Sequence, residues 1–494
     1  MLNQNNLYNR QQVYLLDQLT MSEDGQSSEQ LMGKASSAVW RSIQSRWPSI
    51  KHVVILAGCG NNGGDAFAVA SLAKKSGVKV ELITMGDLSM QSAESRLFRE
   101  SWEQDDGVTH QWSGNCPDCD LIIDGLLGIG LSRGLNDTWS SMIKKINSKK
   151  AVRVSIDIPS GLNADTGMAM PVAIEADLTV TFIGRKIGLY LADGSDYCGD
   201  VVFDDLGLSA ASVAQQAVNY QLLEQLNVKL PEPRKINSYK NQFGHVIVIG
   251  GGPTMSGAAR LAGLAALRCG AGLVSLCVHP DNVTVAANDH AELMVSDWNA
   301  LDDMLSLATV IVVGPGLGNS PRTKEMLQKI AAIDKPVVVD ADALQPWFLN
   351  DLRSQNCVIT PHPGEAARLL ECSSQQIQKD RVASILKLNE HWPVVSVLKG
   401  AGSLVGQQHG VLKLCSHGHS GMATAGMGDV LSGLISAYLA QGLSPENAAQ
   451  TAVLVHALAA EHYAKEHDSV SLIASDVIDR ISLVVRDIRQ AKRV

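Results

Sequence analysis

Aromatic side chains are scarce in this sequence: Phe, Tyr and Trp together make up 4% of 494 residues. Basic excess is lacking too, because 41 Lys+Arg face 50 Asp+Glu, a formal net charge of −9 with no basic block. That balance argues against a nucleic-acid groove or an anionic membrane as the main partner. No apolar run reaches the roughly 20 residues that span a bilayer. The start, Met1-Leu2-Asn3-Gln4, has no basic-then-apolar signal pattern, so a cytoplasmic location is expected. The nine cysteines are odd in number and scattered. Their one close pair, Cys116 and Cys119, has no second pair or histidine at ligand spacing, and reads as a loop entering a strand at Leu121 rather than a zinc or redox site.

What is abundant is glycine, 43 residues, which with few aromatics suits an α/β protein full of tight strand-to-helix turns. The length is enough for two or three domain cores. Apolar residues at helical spacing (Val13, Leu16, Leu19; Leu31, Ala35, Val39) predict helices between about Tyr8 and Trp47. Short β-rich runs then alternate with helical segments: 53–57, 80–84, 121–124, 152–156, 178–182 and 201–203. Such alternation predicts a parallel sheet with helices on both faces. A polar, Gln-rich stretch and the run Leu230-Pro-Glu-Pro-Arg234 break the pattern, which sets domains at 1–220 and 236–494 with a linker at 221–235. A second series runs through 246–249, 273–278, 310–313, 337–339, 358–359 and 394–398, and is expected to end in two helices, 429–441 and 445–466.

In the first domain, the run 53–57 leads straight into Gly58-Cys59-Gly60-Asn61-Asn62-Gly63-Gly64-Asp65 and a helical segment. Strand, glycine turn and helix place a phosphate or a cation at the carboxyl edge of the sheet. The paired asparagines are foreign to the dinucleotide fingerprint but supply oxygen ligands. Three further turns follow strands: Asp124 to Gly134, Asp157-Ile158-Pro159-Ser160-Gly161, and Gly184-Arg185-Lys186. Asn62, Asp124 and Ser160 offer oxygens for a hard cation, and Asp157 is the other carboxylate placed to act as a base. Taken singly, each turn is ordinary α/β loop chemistry with a capping aspartate; their joint occurrence at strand ends is not. In this order the motifs resemble the YjeF N-terminal family, the NAD(P)H-hydrate epimerases. The resemblance implies that Asn61, Asn62, Gly63, Gly64 and Asp65, with Gly128, Ile129, Gly130, Leu131, Ser132, Arg133 and Gly134, contact the hydrated dinucleotide. It also implies that Asn62, Asp124 and Ser160 hold potassium, and that Asp157 binds substrate and serves as the acid/base. The chain departs from the family at Ala66, where glycine is usual, and in Leu31-Met32-Gly33-Lys34, where an acidic residue is usual.

The second domain carries the most informative stretch, Gly421-Met-Ala-Thr-Ala-Gly426-Met-Gly428-Asp429, followed by an apolar helix. Its turn puts backbone N–H groups at a helix N-terminus, where an anion is stabilised, beside an aspartate able to deprotonate a hydroxyl. Strand-end turns add Gly314-Pro-Gly316-Leu-Gly318, Asp340-Ala-Asp342, Thr360-Pro-His362-Pro-Gly-Glu365 and Lys399-Gly400-Ala401-Gly402-Ser403. His362 reads as a binding residue, against a turn hydrogen bond. The small residues of 255–269 admit either a flat ring or tight helix packing. The set resembles ribokinase-like kinases, and more narrowly the YjeF C-terminal family, the ADP-dependent NAD(P)H-hydrate dehydratases. That resemblance implies Ala259, Gly316, His362 and Asp429 facing the hydrated nicotinamide, Asp429 as base, and Lys399, Gly400, Ala401, Gly402, Ser403 and Gly428 holding the nucleotide. Gly418-His419-Ser420-Gly421 departs from the family, which commonly has Asn and Pro after the first glycine.

Together the resemblances imply a Rossmann-like three-layer sandwich followed by a ribokinase-like one. They also imply a bifunctional isomerase and lyase that repairs hydrated NADH and NADPH, with potassium, magnesium and ADP as the phosphoryl donor. Small-molecule partners and a homo-oligomer are expected. The alternative is a vitamin or sugar kinase with a non-catalytic N-terminal binding domain, which would not require the turns Asn61–Asp65 and Thr360–Glu365.

Overall fold

The computed structural model describes residues 5–288 and 290–492. The chain divides into two compact units, Met1–Tyr220 and Gln221–Val494.

The N-terminal unit is built on seven strands in the order Thr109–Gln111, Lys79–Thr84, His52–Ala57, Leu121–Gly125, Val152–Ile156, Leu178–Phe182, Asp200–Asp204. Every neighbouring pair is parallel. The central strands are continuous apolar runs because both faces are covered: Val53 to Ala57 and Leu121 to Ile123 have no exposure. From His52–Ala57 the chain builds outward to one edge, then returns to Leu121–Gly125 on the other side. This reversal opens a crevice at the carboxyl ends of those two strands. The turns 58–65 and 124–134 flank that crevice. Helices Arg10–Ser22 and Ser28–Arg46 begin in capping boxes at Asn9 and Ser27, and bury the expected faces through Val13, Leu16, Leu31, Ala35 and Val39.

The C-terminal unit repeats the logic. Its parallel strands run Met294–Asp297, Leu273–Val278, His245–Ile249, Val310–Val313, Val337–Val339, Cys357–Ile359, Val395–Leu398. Ser403–Gly406 and Leu412–Cys415 then add antiparallel, a hairpin that the sequence reading did not anticipate. Helix Met427–Ala440 is apolar on all sides because it is sandwiched. It packs on helix Ser256–Arg268 so closely that a Cβ at Gly433 would lie 2.1 Å from the Ala262 carbonyl oxygen. The small residues of 256–268 thus serve largely as a packing face: Ala262 and Ala265 are buried, and a Cβ at Gly263 would meet Leu276 at 2.7 Å.

Two expectations are corrected. A third terminal helix, Ala474–Ala491, follows Pro445–Ala464 and buries Val477, Ile478, Ile481 and Val484, one apolar stripe at helical spacing. The stretch 221–235, expected as a linker, lies within the second unit, where Leu223 and Val228 join the core. Its prolines and glutamines mask these anchors in a composition-based reading. Cys116 and Cys119 are free thiols in an irregular segment before the Leu121 strand, as expected.

Candidate active sites

In the N-terminal unit a cavity of about 840 Å³ opens at the crevice, lined by Asn61, Asn62, Asp65, Gly128 to Arg133, Asp157 and Lys186. Helix Asn61–Lys75 starts there with Gly60 as N-cap and no side-chain cap, which leaves first-turn N–H groups available to an anion. Gly63 and Gly64 stand behind this wall. A Cβ on Gly63 would lie 2.0 Å from the Gly58 carbonyl oxygen, so this glycine is set by backbone approach. Gly134 lies outside the cavity lining, in the exposed part of its turn. The methyl of Ala66 is accommodated against Gly125, where an added Cβ would meet it at 2.6 Å.

Asp157 has a left-handed backbone, φ +64. Its Oδ1 accepts from Lys186 Nζ, from Thr181 Oγ1 at 3.1 Å and from the Phe182 N–H at 3.3 Å. Lys186 is 1% exposed, and its Nζ also donates to the Phe182 carbonyl at 3.0 Å and to Thr181 Oγ1 at 3.1 Å. Two more carboxylates share the cavity. Burial raises Asp17 to about 6, with Lys186 opposing and Asp157 reinforcing. Burial, then the charges of Asp157 and Asp17, raise Asp65 well above the usual carboxylate range. Asp17 was missed by sequence reasoning. Its one signal was a charge placed directly after buried Leu16 on a helix with an apolar face.

Beside the cavity, Asp124 is 1% exposed. Its Oδ1 accepts from Ser160 Oγ at 2.5 Å and the Leu126 N–H at 3.2 Å, and its Oδ2 from Ser155 Oγ at 2.9 Å and the Ser160 N–H at 2.8 Å. Asn62 joins through Nδ2, which donates to the Leu127 carbonyl at 3.0 Å. The structure therefore brings Asn62, Asp124 and Ser160 together. Burial raises the Asp124 pKa, and its four donors are all neutral.

In the C-terminal unit a cavity of about 340 Å³ is lined by Asp340, Ala341, His362, Pro363, Lys399, Gly400, Gly426, Gly428 and Asp429. Helix Met427–Ala440 enters with Gly426 as a left-handed N-cap, φ +89, and no side-chain cap, so its first N–H groups stay available. Gly428 sits where a Cβ would stand 3.2 Å from Lys399 Nζ. Asp340 is the hub: Oδ1 accepts from Lys399 Nζ at 2.9 Å and Thr360 Oγ1 at 2.8 Å, and Oδ2 from Ser432 Oγ at 2.7 Å. These contacts, with the Lys399 charge foremost, outweigh burial and lower the Asp340 pKa. Lys399 also faces Glu365 at 3.6 Å, and the charges of Asp340 and Glu365 overcome burial to raise it. Asp429 is pushed up to about 7 by burial, with Asp340 reinforcing and Lys399 opposing. Asp340, at a strand end, was quoted within its motif but not singled out as a site residue.

His362 makes the turn hydrogen bond weighed against binding, and it also lines the cavity. Its Nδ1 accepts from the Gly364 N–H at 3.0 Å, capping helix Pro363–Leu369, while the ring lines the cavity. Ala259 and Gly316 are not brought to this cavity. Ala259 has no exposure, and Gly316 packs so that a Cβ would lie 2.6 Å from Met255 Cβ. Of the loop 399–403, Lys399 and Gly400 line the cavity, Ala401 points to solvent, Gly402 is buried, and Ser403 Oγ donates to the Gly400 carbonyl at 3.0 Å.

Two sites of this kind in one chain agree with the comparisons. Residues 28–188 match the YjeF-related protein N-terminus family, and 246–483 match the NAD(P)H-hydrate dehydratase family. The chain is 37% identical over 97% of its length to the bifunctional NAD(P)H-hydrate repair enzyme Nnr of Coxiella burnetii, covering 99% of that protein. It is 40% identical over 92% of its length to the Escherichia coli enzyme of the same name, covering 89% of it. The chain belongs to the bifunctional NAD(P)H-hydrate repair enzyme family. Among solved structures, the ADP/ATP-dependent NAD(P)H-hydrate dehydratase of Bacillus subtilis, co-crystallised with ATP/Mg2+, matches 55% of this chain and 100% of its own, at 27% identity and TM-score 0.51. Among the described residues no helix is long and apolar enough to cross a membrane.

Proposed function

We propose that the two cavities perform successive steps in the repair of hydrated NADH and NADPH in the cytoplasm: epimerisation of the hydrate in the first, dehydration of its S form in the second. In the second cavity, Asp429 takes the proton of the hydrate's hydroxyl as that oxygen attacks the β-phosphorus of ADP. The bond to the bridging oxygen breaks and AMP leaves. Loss of phosphate, with a proton from the neighbouring ring carbon, then restores the dihydropyridine. Phosphate leaves far more readily than hydroxide. The open N–H groups at Met427–Asp429 and the ammonium of Lys399 would stabilise the phosphoryl charge.

The observation that carries this reading is the placement of Asp429, raised to about 7, at an uncapped helix N-terminus beside Lys399. A base with a pKa near the working pH is efficient. Magnesium would enter with the nucleotide phosphates, whose charge it shields.

In the first cavity, Asp157 is the acid/base and the N–H groups of Asn61 and Asn62 at the uncapped helix start receive the dinucleotide. Potassium fits the neighbouring group. Asp124 is a buried carboxylate whose hydrogen-bond donors are all neutral, and a cation would supply the missing charge. Asn62 and Ser160 would complete its oxygen ligands. The ion would pull the Asp124 pKa down and tie the 58–65 turn to the 157–161 turn.

The test supplies purified protein with each separated hydrate epimer, ADP and magnesium, and follows absorbance of the reduced cofactor. Both epimers are expected to be recovered as NADH or NADPH, the R form only when the N-terminal site is intact. A lasting phosphorylated product without reduced cofactor would make the protein a small-molecule kinase instead.

A further inference from the structure

Arg381 opens helix Arg381–His391, yet its side chain turns inward and is 1% exposed. Its Nη2 donates to the carbonyls of Leu398 at 3.2 Å, Lys399 at 3.3 Å and Gly402 at 3.4 Å. Its Nη1 donates to the Lys399 carbonyl at 3.3 Å and to Gln378 Oε1 at 3.0 Å. Each of these acceptors is neutral. Nε is buried without a partner among the described residues. Burial lowers the guanidinium to about 10, so it stays charged at neutral pH.

A buried cation with only carbonyl partners among the described residues carries a large desolvation cost, and an apolar side chain would fill the space more favourably. Its position gives the reason for keeping it. The loop above it turns through two glycines in left-handed backbone, Gly400 at φ +142 and Gly402 at φ +65. A Cβ at Gly400 would stand 2.6 Å from Arg381 Nη1. With the carbonyls of 398, 399 and 402 drawn inward, the other face of the loop is turned to the cavity, where Gly400 lies beside Asp429 and Gly428. Lys399, whose carbonyl Arg381 holds, is the residue whose ammonium reaches Asp340.

We propose that Arg381 is a positioning residue of the C-terminal site, gathering the carbonyls of Leu398, Lys399 and Gly402 so that the 399–403 loop is fixed to receive the phosphates of the nucleotide. This rests on the reading that the loop holds the nucleotide. The guanidinium acts in two ways. Its planar fork serves several carbonyls at once, which a lysine ammonium cannot reproduce from the same place. Its charge, unneutralised by any carboxylate in contact among the described residues, adds to the field that an incoming diphosphate meets.

The experiment compares full-length Arg381→Lys and Gly400→Ala with wild type for kcat, KM for ADP and KM for the S hydrate, together with the urea unfolding midpoint. Arg381→Lys is expected to raise KM for ADP about tenfold, the loss of roughly one charge-assisted hydrogen bond. KM for the hydrate should stay within about twofold, the split expected when only one substrate's subsite is lost. Gly400→Ala, which crowds the same guanidinium from above, should shift the same constant. Several outcomes would overturn the proposal. If Arg381→Lys leaves KM for ADP unchanged while Gly400→Ala raises it, the loop binds nucleotide without needing the arginine. If neither variant moves it, the loop is not the nucleotide site, and both readings fall. A rise in KM for the hydrate instead would place Arg381 on the other substrate. Arg381→Lys unfolding at much lower urea would make Arg381 a stability residue, again contrary to the proposal.

Discussion

The ammonium of Lys399 stands 2.9 Å from Oδ1 of Asp340, a contact between residues 59 positions apart that commits the positive charge of the C-terminal cavity to a carboxylate other than Asp429. Asp429 is consequently left protonated more readily than a surface aspartate, at about 7, by burial first and Asp340 second. For a base of this kind kcat/KM for dehydration should rise with pH through about 7, because only the ionised form accepts the hydroxyl proton. Asp340→Asn removes the like charge and releases Lys399 toward Asp429. Its rising limb should move to lower pH, whatever the change in maximal rate. A pH–rate profile of the two proteins checks this, and an unmoved limb would show that Asp340 does not set the base.

Asp429→Asn should lower kcat of dehydration about 10²–10⁴-fold, the usual share of a positioned base. It should also make the C-terminal unit more stable at pH 8. The folded pKa lies above the unfolded value of 3.8, so the stability tied to this carboxyl is present below the unfolded pKa and is lost as pH rises through about 7. Thermal unfolding of wild type and variant at pH 5 and pH 8 reads this directly. The gap in favour of the variant should be larger at the higher pH.

In the N-terminal unit, Asp157→Ala should abolish epimer interconversion and leave dehydration of the S form intact. It strands the buried Lys186, whose remaining partners are neutral oxygens, at a cost of about 3–5 kcal/mol for a broken buried pair. Asp157→Asn keeps a short polar side chain that tolerates the left-handed backbone at φ +64 and should retain more stability with equally little epimerase activity. Interconversion at the wild-type rate in either variant would remove Asp157 from the chemistry.

His417 should give the C-terminal unit a second pH dependence of the same sign, set at higher pH. Its Nδ1 is hydrogen-bonded to Glu461 at 3.1 Å and its Nε2 faces Glu224 at 3.7 Å, and these two carboxylates, Glu224 first, raise it to about 9. The stability it contributes is complete below the unfolded value of about 6.5 and is lost as pH rises through about 9. His417→Ala should therefore be less stable than wild type at pH 6, with the difference closing above pH 9. Chemical denaturation at those two pH values is the check, and a constant gap would contradict an imidazolium here.

Much of this was legible in the chain because it depends on local pattern. The strand 52–57 and the turn after it are adjacent in sequence, and a buried parallel strand has to be apolar throughout. Asp429 could be placed at a helix start because Gly426 to Asp429 and the apolar run after it are contiguous. Less was legible where the pattern was mixed. In 221–235 the prolines and glutamines spoke for a linker, while Leu223 and Val228 are held in the core by tertiary packing. Ala259 and Gly316 looked like site residues by motif, yet neither lines the C-terminal cavity: Ala259 is fully buried, and a Cβ at Gly316 would stand 2.6 Å from Met255 Cβ.

The sequence by itself determined the strand-turn-helix units, the glycines that let backbones approach, and the aspartates at strand and helix ends, because all of these follow from neighbours within a few residues. Tertiary structure decided which charges meet: Asp17 with Asp65 and Asp157, Lys399 with Asp340, Arg381 beneath the loop 399–403. The reason is physical. A carboxylate's proton affinity and a buried cation's role are set by desolvation and by charges brought close through space, and no periodicity along the chain records those distances.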